Sequence, residues 1–312
     1  MKTYKTNGLT RESVFNERGK NMSDKLLRGM ARGGNIRILM ISSRNLVQEA
    51  RDIHDLYPTV SAAVGRTMNA SLMMAHMLKE EGEKLIVEIR GDGPLSLIIV
   101  NADNKGHIRT TMNNPHIQQL KDNGKLDVGG IIGEGTLKVI RERDDKAVYN
   151  SLVPLQSGEI AEDFAYYFAQ SEQIPSAVSL GVLVGEDLDI IASGGLIIQV
   201  LPSATEEDIV AMESLISNLK PMTTYLQEMD VFELFTHLFD DGMVLETKDI
   251  HYHCGCNRDQ MHRVLTTLSA EDLQEMIDQD QGATLECHYC HKTYRFTAHE
   301  LETIIQDNRN KA

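Results

Sequence analysis

Apolar residues recur at helical spacing from Asn45 to Leu56, where Leu46, Val47, Ala50, Ile53 and His54 fall near one face. The pattern stops before Tyr57-Pro58, because proline disfavours the α conformation in the residue preceding it. A second, more apolar helix is predicted from about Thr59 to Glu81, ending at Gly82. Its methionine-rich stretch, with Met73, Met74 and Met77 beside Leu72 and Leu78, fits a central buried helix better than a flexible binding face. Strand patterns follow at Lys84 to Arg90 and Leu95 to Val100, joined by the turn Gly91-Asp92-Gly93-Pro94. Asn101 to Gly106 turns the chain again. Further strands are predicted at Gly135 to Arg143, Ala177 to Val184, Leu188 to Ala192 and Leu196 to Leu201, with a short helix over 160–172. Hairpins interrupted by helices argue for an α+β domain on a mostly antiparallel or mixed sheet. Gly129 to Gly135 lacks both the dinucleotide and the P-loop order, and Ser193-Gly194-Gly195 lies between two apolar segments, so both read as turns.

After Pro202 the pattern turns helical. Thr205 followed by Glu206, Glu207 and Asp208 is a helix start, and Ile209, Met212, Leu215, Ile216 and Leu219 continue it to Pro221. A further helix covers about Asp230 to Asp240. These two amphipathic helices have little core of their own and need a neighbour to bury them. Beyond them, Met261 to Leu268 marks a short helix, Ser269 caps another, and 283–286 and 293–296 read as two strands around a Cys-x-x-Cys turn. The expected organisation is a 1–202 α+β domain, a 203–245 helical linker, and a small 246–312 module.

Composition places few further limits. The chain has 312 residues, 41% hydrophobic and 25% charged, as in ordinary globular proteins. MKTYKTNGLTRESVF has no apolar signal core, and no apolar run approaches the roughly 20 residues that cross a bilayer. A cytoplasmic protein without a membrane partner is expected. The net charge of −15, with 7 Lys/Arg against 15 Asp/Glu in residues 231–312, repels phosphate backbones and disfavours nucleic acid.

The chemistry is concentrated in the last fifth of the chain. All four cysteines lie there, as Cys254-x-Cys256 and Cys287-x-x-Cys290, with 30 residues between the pairs. Four thiolates can close a tetrahedral shell around one Zn²⁺ per chain. The nearby His251, His253, His288 and His291 are then surface or supporting residues. A structural zinc contributes on the order of 10–16 kcal/mol of apparent binding free energy, against about 5–15 kcal/mol for the stability of a whole domain. Metal loss would therefore unfold a module of this size. Each pair is close enough in sequence for an internal disulfide, so both a redox switch and an inert structural clip fit these residues.

The ordered cysteine pairs resemble those of the redox-regulated chaperones of the heat-shock protein 33 family. Gly91-Asp92-Gly93-Pro94-Leu95, Ser171-Glu172-Gln173-Ile174-Pro175 and Gly194 to Pro202 support the resemblance across nearly the whole chain. Asn257 stands where the family commonly has serine. The resemblance implies a non-enzymatic, ATP-independent holdase that is inactive while reduced and zinc-bound. It further implies that oxidation forms the disulfides Cys254–Cys256 and Cys287–Cys290, releases zinc, unfolds the module and loosens the linker. The active form would be a homodimer that binds unfolded client proteins. Competing expectations are a constitutive zinc-binding adaptor, perhaps touching nucleic acid, and a hydrolase or transferase with a zinc tail, for which no nucleophile–base set is visible.

Overall fold

The computed structural model describes residues 23–80 and 82–311, so the N-terminal segment examined for a signal, and Glu81, lie outside it. The chain forms two compact units that divide between Tyr252 and His253. The first contains β1 (Lys25–Ala31), β2 (Ile36–Ser42), α1 (Arg44–His54), α2 (Pro58–Ala75), β3 (Lys84–Gly91), β4 (Leu97–Asp103) and β5 (His107–Met112). It continues with α3 (Val128–Ile132), β6 (Gly135–Arg143), β7 (Lys146–Pro154), α4 (Ala161–Tyr167), β8 (Ser176–Val184) and β9 (Ile190–Val200). It ends with α5 (Glu206–Ser217), α6 (Met222–Leu226), α7 (Val231–Leu238), β10 (Met243–Asp249) and β11 (His251–Tyr252). The fold is α+β, as expected.

One antiparallel sheet has the order β10-β1-β2-β9-β8. The other, β11-β5-β4-β3-β6-β7, is mixed because the short β11 joins β5 in parallel. Helix α2 is buried on nearly every side, which explains its all-round apolar sequence. It packs in one core with Leu26, Leu39 and Ile41 of the first sheet and with Val87, Val100 and Val139 of the second. The alternate residues of the first sheet, Leu27, Ile36, Ile38, Met40, Leu196 and Ile198, form a separate core on its other face. That face is covered by Met212, Met222, Leu226, Val231, Leu234, Phe235 and Phe239 from α5 to the end of α7. The amphipathic helices after Pro202 thus find their neighbour in the first sheet.

Three expectations change. Ser193-Gly194-Gly195 is not a turn but the middle of the continuous strand β9. A Cβ at Gly194 would lie 2.1 Å from the Ile41 carbonyl oxygen and 2.4 Å from Leu226 Cδ1, so glycine answers crowding rather than bending. Helix α2 stops at Ala75 instead of running to Gly82, and the Asn104 side-chain amide donates to the carbonyls of Leu78 and Glu80 at 3.4 and 3.2 Å. The cysteine-bearing unit begins at His253 rather than 246, because Met243–Asp249 pairs along the edge of β1 and His251–Tyr252 along β5. Smaller shifts have local causes. Strand β4 begins after Ser96, held at φ +52°, and Gly129 to Gly135 includes one helical turn before Gly133 bends the chain at φ +75°.

The second unit contains α8 (Arg258–Leu265), α9 (Ala270–Asp280), the hairpin β12 (Gly282–Glu286) and β13 (Thr293–Thr297), and α10 (Ala298–Lys311). Among the described residues its core has seven buried side chains: Leu265, Leu273, Tyr294, Phe296, Leu301, Ile304 and Ile305.

Gly194→Ala forces a methyl against the β2 backbone and is expected to cost about 1–3 kcal/mol. A lowered denaturant midpoint with an unchanged slope is the expected result; an unchanged midpoint would refute the crowding argument.

Candidate metal centre

The two cysteine pairs occupy different kinds of backbone. Cys254 and Cys256 lie in the irregular segment between β11 and α8. Asn257 then starts α8, its side-chain oxygen accepting from the Gln260 N–H at 2.9 Å. Asparagine and serine are both strong N-caps, so this substitution preserves the helix start behind the cysteines. Cys287 and Cys290 lie in the turn joining β12 to β13. The Cys287 N–H donates to the Lys292 carbonyl at 3.0 Å, and the N–H groups of Cys290 and His291 donate back to the Cys287 carbonyl at 3.3 and 2.8 Å. His291 closes the turn in the left-handed region at φ +56°. This folding presents both sulfurs on one side of the hairpin.

The four sulfurs converge. All lie within 4.8 Å of one another, and among the described residues they are the one His, Cys, Asp and Glu cluster able to hold a metal. Cys254 Sγ is 3.6 Å from Cys287 Sγ, and Cys256 Sγ is 3.4 Å from Cys290 Sγ. These separations exceed the ~2.05 Å of a disulfide and lie slightly below the ~3.8 Å edge expected of a tetrahedron with ~2.3 Å zinc–sulfur bonds. None of the four neighbouring histidines joins the set. His291 instead hydrogen-bonds Glu286, and His251 belongs to β11 in the first unit.

The electrostatics fit a cation. Burial opposes ionisation of Cys256, but hydrogen bonds from Tyr294 and the neighbouring thiols outweigh it and bring the thiol down to about 7. Burial pushes Cys287 up and raises Cys290 to about 12. One sulfur therefore ionises readily, whereas further negative charge beside it is resisted. A bound cation removes that conflict.

Tyr294 is the contributor that the cysteine spacing does not reveal. It lies on the inward face of β13 and is only 7% exposed. Its hydroxyl donates to the Cys256 carbonyl at 3.0 Å and lies 3.2 Å from Cys256 Sγ. The available clue was its alternation with Phe296, since a buried tyrosine needs a partner for its hydroxyl. Tyr294→Phe keeps the ring while removing these contacts. A cost of about 1 kcal/mol, or a fall of about 4–8 °C in the module's unfolding temperature, is expected by calorimetry. No shift would leave the hydroxyl without a stabilising role.

Comparisons with known proteins follow the same geometry. The sequence model of the family described as Hsp33 protein matches residues 24–297. The 33 kDa chaperonin of Oceanobacillus iheyensis is 40% identical over 290 residues, covering 91% of this chain and 100% of the relative. That of Staphylococcus carnosus is 41% identical over 289 residues, covering 91% and 98%. The crystal structure of the 33 kDa chaperonin (heat shock protein 33 homolog) from Thermotoga maritima superposes with a TM-score of 0.86. It is 32% identical and covers 92% of this chain and 99% of that one. The family-model match, the near-complete alignments and the shared fold lead to one conclusion: this chain belongs to the Hsp33 family.

Proposed function

We propose that this protein is a redox-regulated, ATP-independent holdase, inactive while its four cysteines are reduced and zinc-bound. The convergence of four sulfurs within 4.8 Å, in a module with seven fully packed core residues, carries this reading. One Zn²⁺ per chain, held by the thiolates of Cys254, Cys256, Cys287 and Cys290, would neutralise them and cross-link the two cysteine segments. Oxidation pairs Cys254 with Cys256 and Cys287 with Cys290. Each pair of thiolates loses two electrons to one peroxide, which takes up two protons from solvent and becomes two waters, and each disulfide retires two thiolate donors. The module then lacks the cross-link its small core requires and unfolds.

The first unit supplies the surface for binding. Leu27, Ile36, Ile38, Met40, Leu196 and Ile198 are buried beneath the 206–239 helices. Phe235 presses so closely on β1 that a Cβ at Gly29 would lie 2.6 Å from its ring. Release of these helices exposes a sheet face and the apolar sides of the helices themselves. Both suit unfolded segments in search of apolar burial. The active species is a homodimer in the cytoplasm, and it acts by binding clients rather than by catalysis.

The deciding experiment treats reduced, zinc-loaded protein with peroxide under mildly unfolding conditions, without ATP. Zinc release is followed alongside aggregation of a thermally unfolding client. Release of about one zinc per chain, with aggregation suppressed only after oxidation, is the expected outcome. The reading fails if oxidised, metal-free protein suppresses aggregation no better than the reduced form.

A further inference from the structure

The apolar contacts of the 206–239 helices are bracketed by polar contacts that converge on one short loop. Arg32, Gly33 and Gly34, between β1 and β2, all have positive φ, at 54°, 62° and 96°. This backbone carries Arg32 out of the sheet toward both ends of the helical segment. Arg32 Nε donates to Asp208 Oδ1 at 2.9 Å, and the Asn35 amide donates to Asp208 Oδ2 at 2.9 Å. The backbone N–H of Arg32 donates to Asp241 Oδ2 at 2.8 Å, just beyond α7. Glu207 also lies 3.5 Å from the guanidinium, but at 88% side-chain exposure it contributes little.

Asp208 is the critical partner, with its side chain only 9% exposed. It also belongs to the capping box of α5, accepting from the Thr205 N–H at 3.0 Å and the Thr205 hydroxyl at 2.9 Å. One carboxylate therefore both starts the helix and ties it to the sheet. Removing its cation leaves a largely buried charge with neutral donors alone, which is costly. Asp241 secures the opposite end through the same residue.

We propose that Arg32 is an autoinhibitory latch, holding both ends of the 206–241 segment over the apolar face of β1, β2 and β9. Its role as a regulator rests on the holdase reading; its role as a tether does not. The test is amide hydrogen exchange, followed by mass spectrometry, on the reduced, zinc-loaded full chain. Arg32→Gln removes the guanidinium but keeps the backbone N–H that binds Asp241, so it should accelerate exchange across 206–217 by about tenfold, while 84–91 and 135–143 remain at the wild-type rate. Asp241→Ala should accelerate exchange by about threefold near 231–241 and leave the α5 start unchanged. If Arg32→Gln disrupts the whole unit, seen as faster exchange at 84–91 as well, Asp241→Ala decides alone. Wild-type exchange of the helical segment in Asp241→Ala, or in a folded Arg32→Gln variant, overturns the latch. No client or oxidant enters this measurement. A holdase that fails on oxidation therefore leaves the latch standing, and a latch that fails leaves the holdase reading intact.

Discussion

The governing constraint is the confinement of four ionisable sulfurs within 4.8 Å. Together they cannot carry the charge that their chemistry favours unless a cation shares the space. Without it, the ready ionisation of Cys256 and the raised values of Cys287 and Cys290 remain in conflict. The surrounding 60-residue unit cannot absorb that conflict through packing, since its buried core is small. Its stability and its sulfur chemistry are consequently one problem.

The first unit uses stability differently on its two faces. One face of the β1–β2–β9 layer packs with α2, a helix enclosed by both sheets and embedded in the larger core. The opposite face is covered by short helices held in place mainly through tertiary contacts. Helix α6 has five residues and α7 has eight, lengths at which isolated helices are not stable in water. Their order depends on remaining against the sheet. Because its core is separate from that of α2, release of this segment, as proposed, would leave α2 in place.

The sequence was most informative where a local rule governed the outcome. The cysteine spacing located the metal-capable cluster, and the Thr205–Asp208 cap and following apolar period located α5. It was least informative where a distant segment decided. Gly194 resembles turn chemistry until the Ile41 backbone occupies the space of its absent side chain. Met243, Val244 and Leu245 are exposed at a sheet edge, so no buried face reveals β10; pairing with β1 defines it. Arg32 illustrates the same limit. Its contacts with Asp208 and Asp241 span 176 and 209 positions, respectively, and no periodicity connects them.

The cluster also gives a physical meaning to the proposed disulfide pairing. Two of its short contacts, Cys254 to Cys287 and Cys256 to Cys290, both cross between segments more than 30 residues apart. In the reduced state these proximities bring the start of α8 to the β12–β13 turn. Pairing within Cys254–Cys256 and Cys287–Cys290 would replace that long-range connection with two local loops. Local loops restrict an unfolded chain far less than a cross-link spanning the module. Cross-segment disulfides would instead preserve the connection and favour a folded module. The direction of the proposed switch would therefore depend on which sulfurs pair, not merely on whether they are oxidised. The close spacing within each motif favours the pairing that lets the module open.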